Sequence, residues 1–437
     1  MRRRVVISGI GAVGGFGIGA DAMWESLLEG RSTIAPIRRF DGSGFQCTQA
    51  SEVPDDFKIR DFVPKTYRKA TKVMARDIEL AVAAAKLAVE DAGLTTKANA
   101  EDGAATTHAP GRVGCHIGAG LIAAEVPELA MAMASASTDD GELDYGAWGE
   151  HGMQNLTPLW LLKYLPNMLA CHVTIVHGAE GPSNTITCSE ASGLLSLGES
   201  RNVIERGHAD ACFSGGAESK VNPMGLVRWR LARRLGVVAP DDDGASVVRP
   251  YDADASGTVL GEAGGIVIAE AREVAEQRGA RIYAEVAGFG AGQSPASDQV
   301  EERAEGLRLA IERALHDASI DAEAIDAIVP HASGAPLSDE EEAAALRAVF
   351  GSRLSDIPLM TTAPNFGDMT AGFGGVQVCV GCLALRHQTL PARLHAGTCP
   401  SDLRAEAIGS SDAKLQHVLL CTGAVGGQNA AIVLSGA

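Results

Sequence analysis

The sequence predicts a layered α/β protein with buried sheets, on three observations. Helical periodicity runs over residues 70–92, 300–318 and 339–350. Short apolar runs of strand length lie between such stretches, at residues 112–117, 211–214, 264–269, 327–329 and 418–421. The order of these elements recurs in the two halves of the chain, which points to two similar lobes facing each other.

In chain order, the first strand is expected at residues 5–8, and Gly9, Gly11 and Gly14 after it match the GxGxxG of a dinucleotide site. The helix of such a site should begin within the glycines, yet the chain continues through Gly15, Gly17 and Gly19 before a helix start at residues 21–24. The glycines therefore read as a turn that needs close backbone approach, and no cofactor is expected. The predicted helix 70–92 stops at Gly93, and the polar stretches 95–110 and 240–245 read as surface loops. Cys379 and Cys382 form a CxxC inside the helical run 373–386 with no second pair or histidine at metal spacing, so they read as core packing.

With 437 residues and 46% hydrophobic content, the chain can bury a large core. Its nine scattered cysteines suit a reducing compartment better than a disulfide framework. No apolar run approaches the ~20 residues of a membrane span, and residues 1–4 lead straight into the first strand, so a cytoplasmic protein is expected. The net charge of -18 excludes general affinity for nucleic acid or anionic lipid. Basic residues cluster in two places: Lys65, Arg68, Lys69, Lys72 and Arg76 on one predicted helix, and Arg228, Arg230, Arg233 and Arg234 further on. Each cluster reads by default as a solvated helix face.

The duplication singles out two carboxylates. In the first half, strand 113–115 leads toward Gly118 and Gly120, and the helix after Glu190 is followed by strand 211–214 and a Gly-Gly pair. In the second half, strand 327–329 leads into His331 and Gly334, and the helix after Asp368 is followed by strand 418–421, Gly426 and Gly427. Glu190 and Asp368 are thus expected at related positions, each just before a Gly-rich apolar helix.

Several ordered blocks carry a resemblance. Residues 6–11 with Trp24, residues 165–170 and 181–183, residues 207–218 with Gly215, Gly216, Ala217 and Glu218, the run Arg249, Pro250, Tyr251 and Asp252, and the closing Gly426, Gly427, Gln428 and Asn429 are similar to the β-ketoacyl-acyl-carrier-protein synthases over nearly the whole chain. The resemblance implies the thiolase fold, with duplicated α-β-α-β-α layered lobes: 1–248, carrying the nucleophile position, and 249–437, carrying His331 and Asp368. It also implies acyl carrier protein as a partner, met by Lys65, Arg68 and Lys69, and a dimer paired along the strands next to the nucleophile.

Family chemistry needs a cysteine thiolate at a helix N-terminus, where the dipole and free amides lower its pKa and supply an oxyanion hole. Counting forward from residues 181–183 and back from Gly193 puts that position on Glu190; Cys188, two residues early, reads as a buried strand-end residue. His331 matches the first of the family's two histidines, the second aligns with Asp368, and the family's lysine aligns with Ala363. Val425 takes the place of an aromatic gate residue beside the acyl pocket, next to Gly426 and Gly427. A carboxylate is no substitute for a thioester-forming nucleophile, so standard cysteine-dependent elongation is expected to be lost.

A malonyl group would meet two carboxylates here, and one like-charge pair at ~4 Å and an effective dielectric of ~20 costs ~4 kcal/mol. Either a carboxyl is protonated, or malonyl groups are no longer bound, or His331 pairs with one or both carboxylates. Two functions stay open. One is a partner subunit resembling the chain-length factors of type II polyketide ketosynthases, in a heterodimer with a cysteine-bearing ketosynthase. The other is an enzyme, homodimeric or not, that acts on acyl thioesters by decarboxylation, hydrolysis or proton transfer through Glu190 and His331.

Overall fold

A computed structural model describes residues 2–101 and 104–437; Asp102 and Gly103 of the expected loop 95–110 lie outside the described residues. The strands that organise the fold are β1 (Val5–Gly14), β2 (Val113–Gly118), β3 (Ser183–Ile186), β4 (Ala211–Ser219), β5 (Glu262–Ala271), β6 (Ala284–Gln293), β7 (Ala327–Val329), β8 (His417–Gly423) and β9 (Gln428–Ser435). They join in the order β7-β8-β9-β6-β1-β5-β4-β2-β3. β1 and β6 meet through two residue pairs, Val6 with Glu285 and Ile7 with Ala284, so the path forms two half-sheets.

The half-sheets repeat each other. In the first, β3, β2 and β4 run parallel and β5 and then β1 add antiparallel. In the second, β7 and β8 run parallel and β9 and then β6 add antiparallel, while a short segment at Leu359 runs parallel to β7 in the place of β3. The helices that frame the two half-sheets and the site include α1 (Arg76–Asp91), α2 (Ser192–Glu205), α3 (Pro223–Leu231), α4 (Val300–Ala318), α5 (Pro336–Phe350) and α6 (Phe373–His387). α2 and α6 sit between the half-sheets, each touching strands of both, while α1 covers the outer face of the first half and α4 that of the second. The layers are therefore α-β-α-β-α, the expected thiolase arrangement.

The central layer explains the composition of α6. Phe373 through Leu385 are all buried, so this helix has no polar face to keep and is apolar all round. Cys379 and Cys382 fall inside it, and burial pushes the Cys379 thiol up to about 12, as suits inert core packing. Where α2 and α6 cross, glycines replace side chains. A Cβ on Gly374 would stand 2.6 Å from the Leu194 nitrogen and 2.9 Å from the Gly193 Cα.

β5 hydrogen-bonds between β1 and β4 and so lies in the first half-sheet. Two sequence expectations are corrected here. The helix expected from residue 70 begins at Arg76: Lys65–Tyr67 and Ala70–Val73 are separate 3-10 turns, and Met74 and Ala75 lie extended and buried between them and α1. Gly9 and Gly11 lie inside β1 rather than in a turn; a Cβ on either would strike the α1 backbone, 2.4 Å from the Ala88 oxygen and 2.1 Å from the Ala84 oxygen. Among the described residues, no helix is long and apolar enough to cross a membrane.

The α2/α6 crossing can be tested directly. Gly374→Ala is expected to lower unfolding free energy in urea by about 1–3 kcal/mol, the usual cost of overpacking a tight interior contact.

Candidate functional site

Glu190 and Asp368 both stand at the entrance to the central helices. A single 3-10 turn, Ser189–Ala191, leads into α2, and a matching turn, Thr370–Gly372, leads into α6. Ser189 (φ 49°) and Thr370 (φ 49°) start these turns in the same left-handed conformation. Glu190 is the second residue of its turn, whereas Asp368 stands two residues ahead of the other. The two carboxylates are thus near-related rather than equivalent, and Ala371 is the true counterpart of Glu190.

Each carboxylate is fully buried and has its own cation. Glu190 Oε1 takes the Nη1 of Arg234, and its Oε2 accepts the backbone N–H of Val425 at 3.3 Å. Asp368 Oδ1 lies 3.5 Å from His331 Nε2 and accepts the Thr370 N–H at 2.9 Å, while its Oδ2 accepts the indole N–H of Trp229 at 3.3 Å. Of the pairings open to His331, with one or both carboxylates, the structure has the one with Asp368, and the partner of Glu190 is an arginine.

Sequence reasoning placed Arg234 on a solvated face. The chain ends α3 at Leu231, and Arg233 (φ 56°) reverses it; the Arg234 N–H then bonds the Trp229 carbonyl at 2.9 Å. This reversal leaves Arg230 and Arg233 exposed and turns Arg234 inward, where its guanidinium also lies 5.8 Å from the Trp229 ring. Its Nε and Nη2 are buried without hydrogen-bond partners, so the charge is anchored by Glu190. The available signal was indirect: a buried glutamate demands a counter-charge, and four arginines stand within seven residues.

His331 follows β7 and is held from behind. Glu342 on α5 accepts the backbone N–H groups of His331 and Ala332, each at 2.8 Å, and the Tyr251 hydroxyl donates to Glu342 at 2.7 Å. The Phe373 ring packs edge-on to the imidazole at 4.8 Å. Burial disfavours the imidazolium, but the Asp368 carboxylate outweighs it and raises His331 above its ordinary 6.5. Asp368 feels burial in the opposite sense, and His331, Arg234 and the Thr370 amide bring it below its ordinary 3.8. Nearby Asp339 is pushed up to about 7, chiefly by burial.

The other expected site residues divide. Val425 is on the turn between β8 and β9, with its side chain 63% exposed and its amide on Glu190. Gly426 and Gly427 belong to the same turn, which the Gly427 N–H closes on the Ala424 carbonyl at 2.8 Å. Ala363 is buried in a separate apolar cluster with Val259 and Leu260. A cavity of about 410 Å³ reaches Ser189, next to Glu190, and Val425, and is lined as well by Leu121, Lys220, Arg228 and Trp229. Lys65, at the start of the first 3-10 turn, and Arg68 and Lys69, between the two turns, are exposed, but Arg76 leaves that patch to pair with buried Glu262 at 2.8 Å.

Residues 2–275 match the family model of the β-ketoacyl synthase N-terminal domain, and residues 283–397 that of the C-terminal domain. The chain belongs to the β-ketoacyl synthase family. It is 30% identical over 439 residues to the 3-oxoacyl-[acyl-carrier-protein] synthase 2 of Coxiella burnetii, covering 99% of both chains. It is 28% identical to the synthase of that name from Staphylococcus aureus, covering 99% of this chain and 98% of that one. Among solved structures, it is similar to the ishigamide ketosynthase/chain length factor, with a TM-score of 0.82 and 28% identity over the whole of both chains. A β-ketoacyl synthase from Burkholderia phymatum shares the fold at a TM-score of 0.81 and 23% identity.

Two stability predictions follow from these buried charges. Arg234→Met alone strands a buried carboxylate and is expected to cost about 3–5 kcal/mol, whereas Glu190→Met with Arg234→Met, which removes both charges, recovers most of that loss in urea unfolding. For the second pair, the raised His331 stabilises fully below 6.5 and loses its effect as pH rises through its folded value; the lowered Asp368 stabilises fully above 3.8 and loses its effect as pH falls through its own. The Tm difference between the native chain and Asp368→Asn is therefore expected to be largest between pH 3.8 and 6.5 and to shrink at alkaline pH.

Proposed function

We propose that this chain is a non-elongating β-ketoacyl synthase of fatty-acid or polyketide biosynthesis, acting in the cytoplasm as a chain-length-factor-like partner of a cysteine-bearing ketosynthase. The observation that carries this reading is the state of Glu190. At the family's nucleophile position it offers no thiolate, and its two oxygens are already engaged, one by Arg234 and one by the Val425 amide. His331 and Asp368 are likewise turned on each other, 3.5 Å apart. Each carboxylate of the centre is paired with a basic side chain, which suits a structural role.

Pairing has support in the edge of the first half-sheet. β3 ends the strand order there, and Ser183 and Asn184 are exposed, so its free backbone groups are available to a partner strand. The likeness to the ishigamide ketosynthase/chain length factor supports the same assembly. Acyl carrier protein is the second partner: the similar synthases named above carry it in their names, and the exposed Lys65, Arg68 and Lys69 provide a local basic patch on a chain of net charge -18.

Co-expression with a cysteine-bearing ketosynthase tests the reading. The expected result is a stable heterodimer that condenses malonyl units, with no condensation by this chain alone; a homodimer that ignores such a partner overturns it. If Glu190→Gln or His331→Ala instead abolishes a thioester decarboxylation or hydrolysis by the isolated chain, the altered-chemistry reading replaces it. Reversing Lys65, Arg68 and Lys69 to Glu should weaken carrier binding about tenfold, as expected from three exposed contacts of ~0.5 kcal/mol each, and should flatten its salt dependence. An unchanged affinity removes this patch from the carrier surface.

A further inference from the structure

Glu190 joins two parts of the mouth that are distant in sequence. One oxygen is held by Arg234, just past α3, and the other accepts the Val425 N–H in the turn at residues 424–427. That turn is tight. The Gly427 N–H bonds the Ala424 carbonyl at 2.8 Å, and the Ala424 N–H bonds the Gln428 carbonyl at 2.8 Å. A four-residue turn closes with a bond from its fourth N–H to its first carbonyl, so the second residue's N–H needs an acceptor from elsewhere. Here that second residue is Val425, and the acceptor is a fully buried carboxylate.

The consequence reaches the surface. Val425 shares the rim of the 410 Å³ cavity with Leu121 and Trp229, and its side chain and that of Leu121 are exposed there. On the inner side, Arg234 is itself immobilised between Glu190 and the Trp229 ring. An unbroken path therefore runs from α3 through Arg234 and Glu190 to the rim. We infer that Glu190 is a positioning residue that latches the 424–427 turn by its Val425 amide and so fixes the rim of the cavity, with Arg234 holding the carboxylate in place. This role stands apart from the choice of partner, since it needs no second chain.

Amide hydrogen exchange on the full chain reads the latch at its own site. Glu190→Gln with Arg234→Met removes both buried charges and leaves the single amide oxygen free for the Val425 N–H, so Val425 exchange should remain within a few-fold of native. The double variant Glu190→Met with Arg234→Met removes the acceptor while leaving no buried charge unpaired, so the fold is kept. In it, Val425 exchange should rise tenfold or more, while Leu420 on β8 and Ile432 on β9 stay protected as in the native chain. Native-like Val425 exchange in the Glu190→Met, Arg234→Met chain overturns the inference. So does a rise shared equally by Leu420 and Ile432, which reports loosening of the whole hairpin, or a Glu190→Gln, Arg234→Met chain that exchanges as fast as the Glu190→Met, Arg234→Met one.

Discussion

The helices α2 and α6 approach each other backbone to backbone, because Gly193 and Gly374 leave no side chains between them. Their N-termini consequently open close to one point, and the turns that precede them bring Glu190 and Asp368 into one buried centre. Burial at that depth sets the electrostatic problem that the surrounding residues answer. A carboxylate without water must be protonated, paired or hydrogen-bonded, and unpaired charges at such depth cost several kcal/mol.

The answer is a matched set of charges. Arg234 and His331 come from different repeats and serve Glu190 and Asp368 respectively. In each case a backbone amide completes the carboxylate, Val425 for one and Thr370 for the other. The same contacts engage both oxygens of Glu190. Stability of the buried centre and loss of elongation thus have a common physical origin in this reading, and the latch on the 424–427 turn is a third consequence of the same carboxylate.

Much of this was legible residue by residue. The strand and helix pattern, the duplicated order and the entrance positions of Glu190 and Asp368 follow from periodicities and glycine spacing, which are local properties. His331 was singled out by the family resemblance, which matches it to the first of the family's two histidines. Arg234 was missed because nothing local distinguishes it from Arg230 and Arg233; the left-handed Arg233 that turns it inward is visible only in space. The basic run at residues 65–76 failed as one helix for a related reason, since Arg76 is drawn to buried Glu262 while Lys65, Arg68 and Lys69 remain exposed.

The sequence by itself determined the layered α/β class, the repeat, the absence of cysteine at position 190 and the presence of a carboxylate in its place, because each depends on residue type and spacing alone. Only the tertiary structure decided which cation meets which carboxylate, that Asp368 is offset from the true counterpart of Glu190, and that β5 lies in the first half-sheet. Those outcomes depend on how strands pair and where the chain reverses, and both are set by contacts between residues far apart in the sequence.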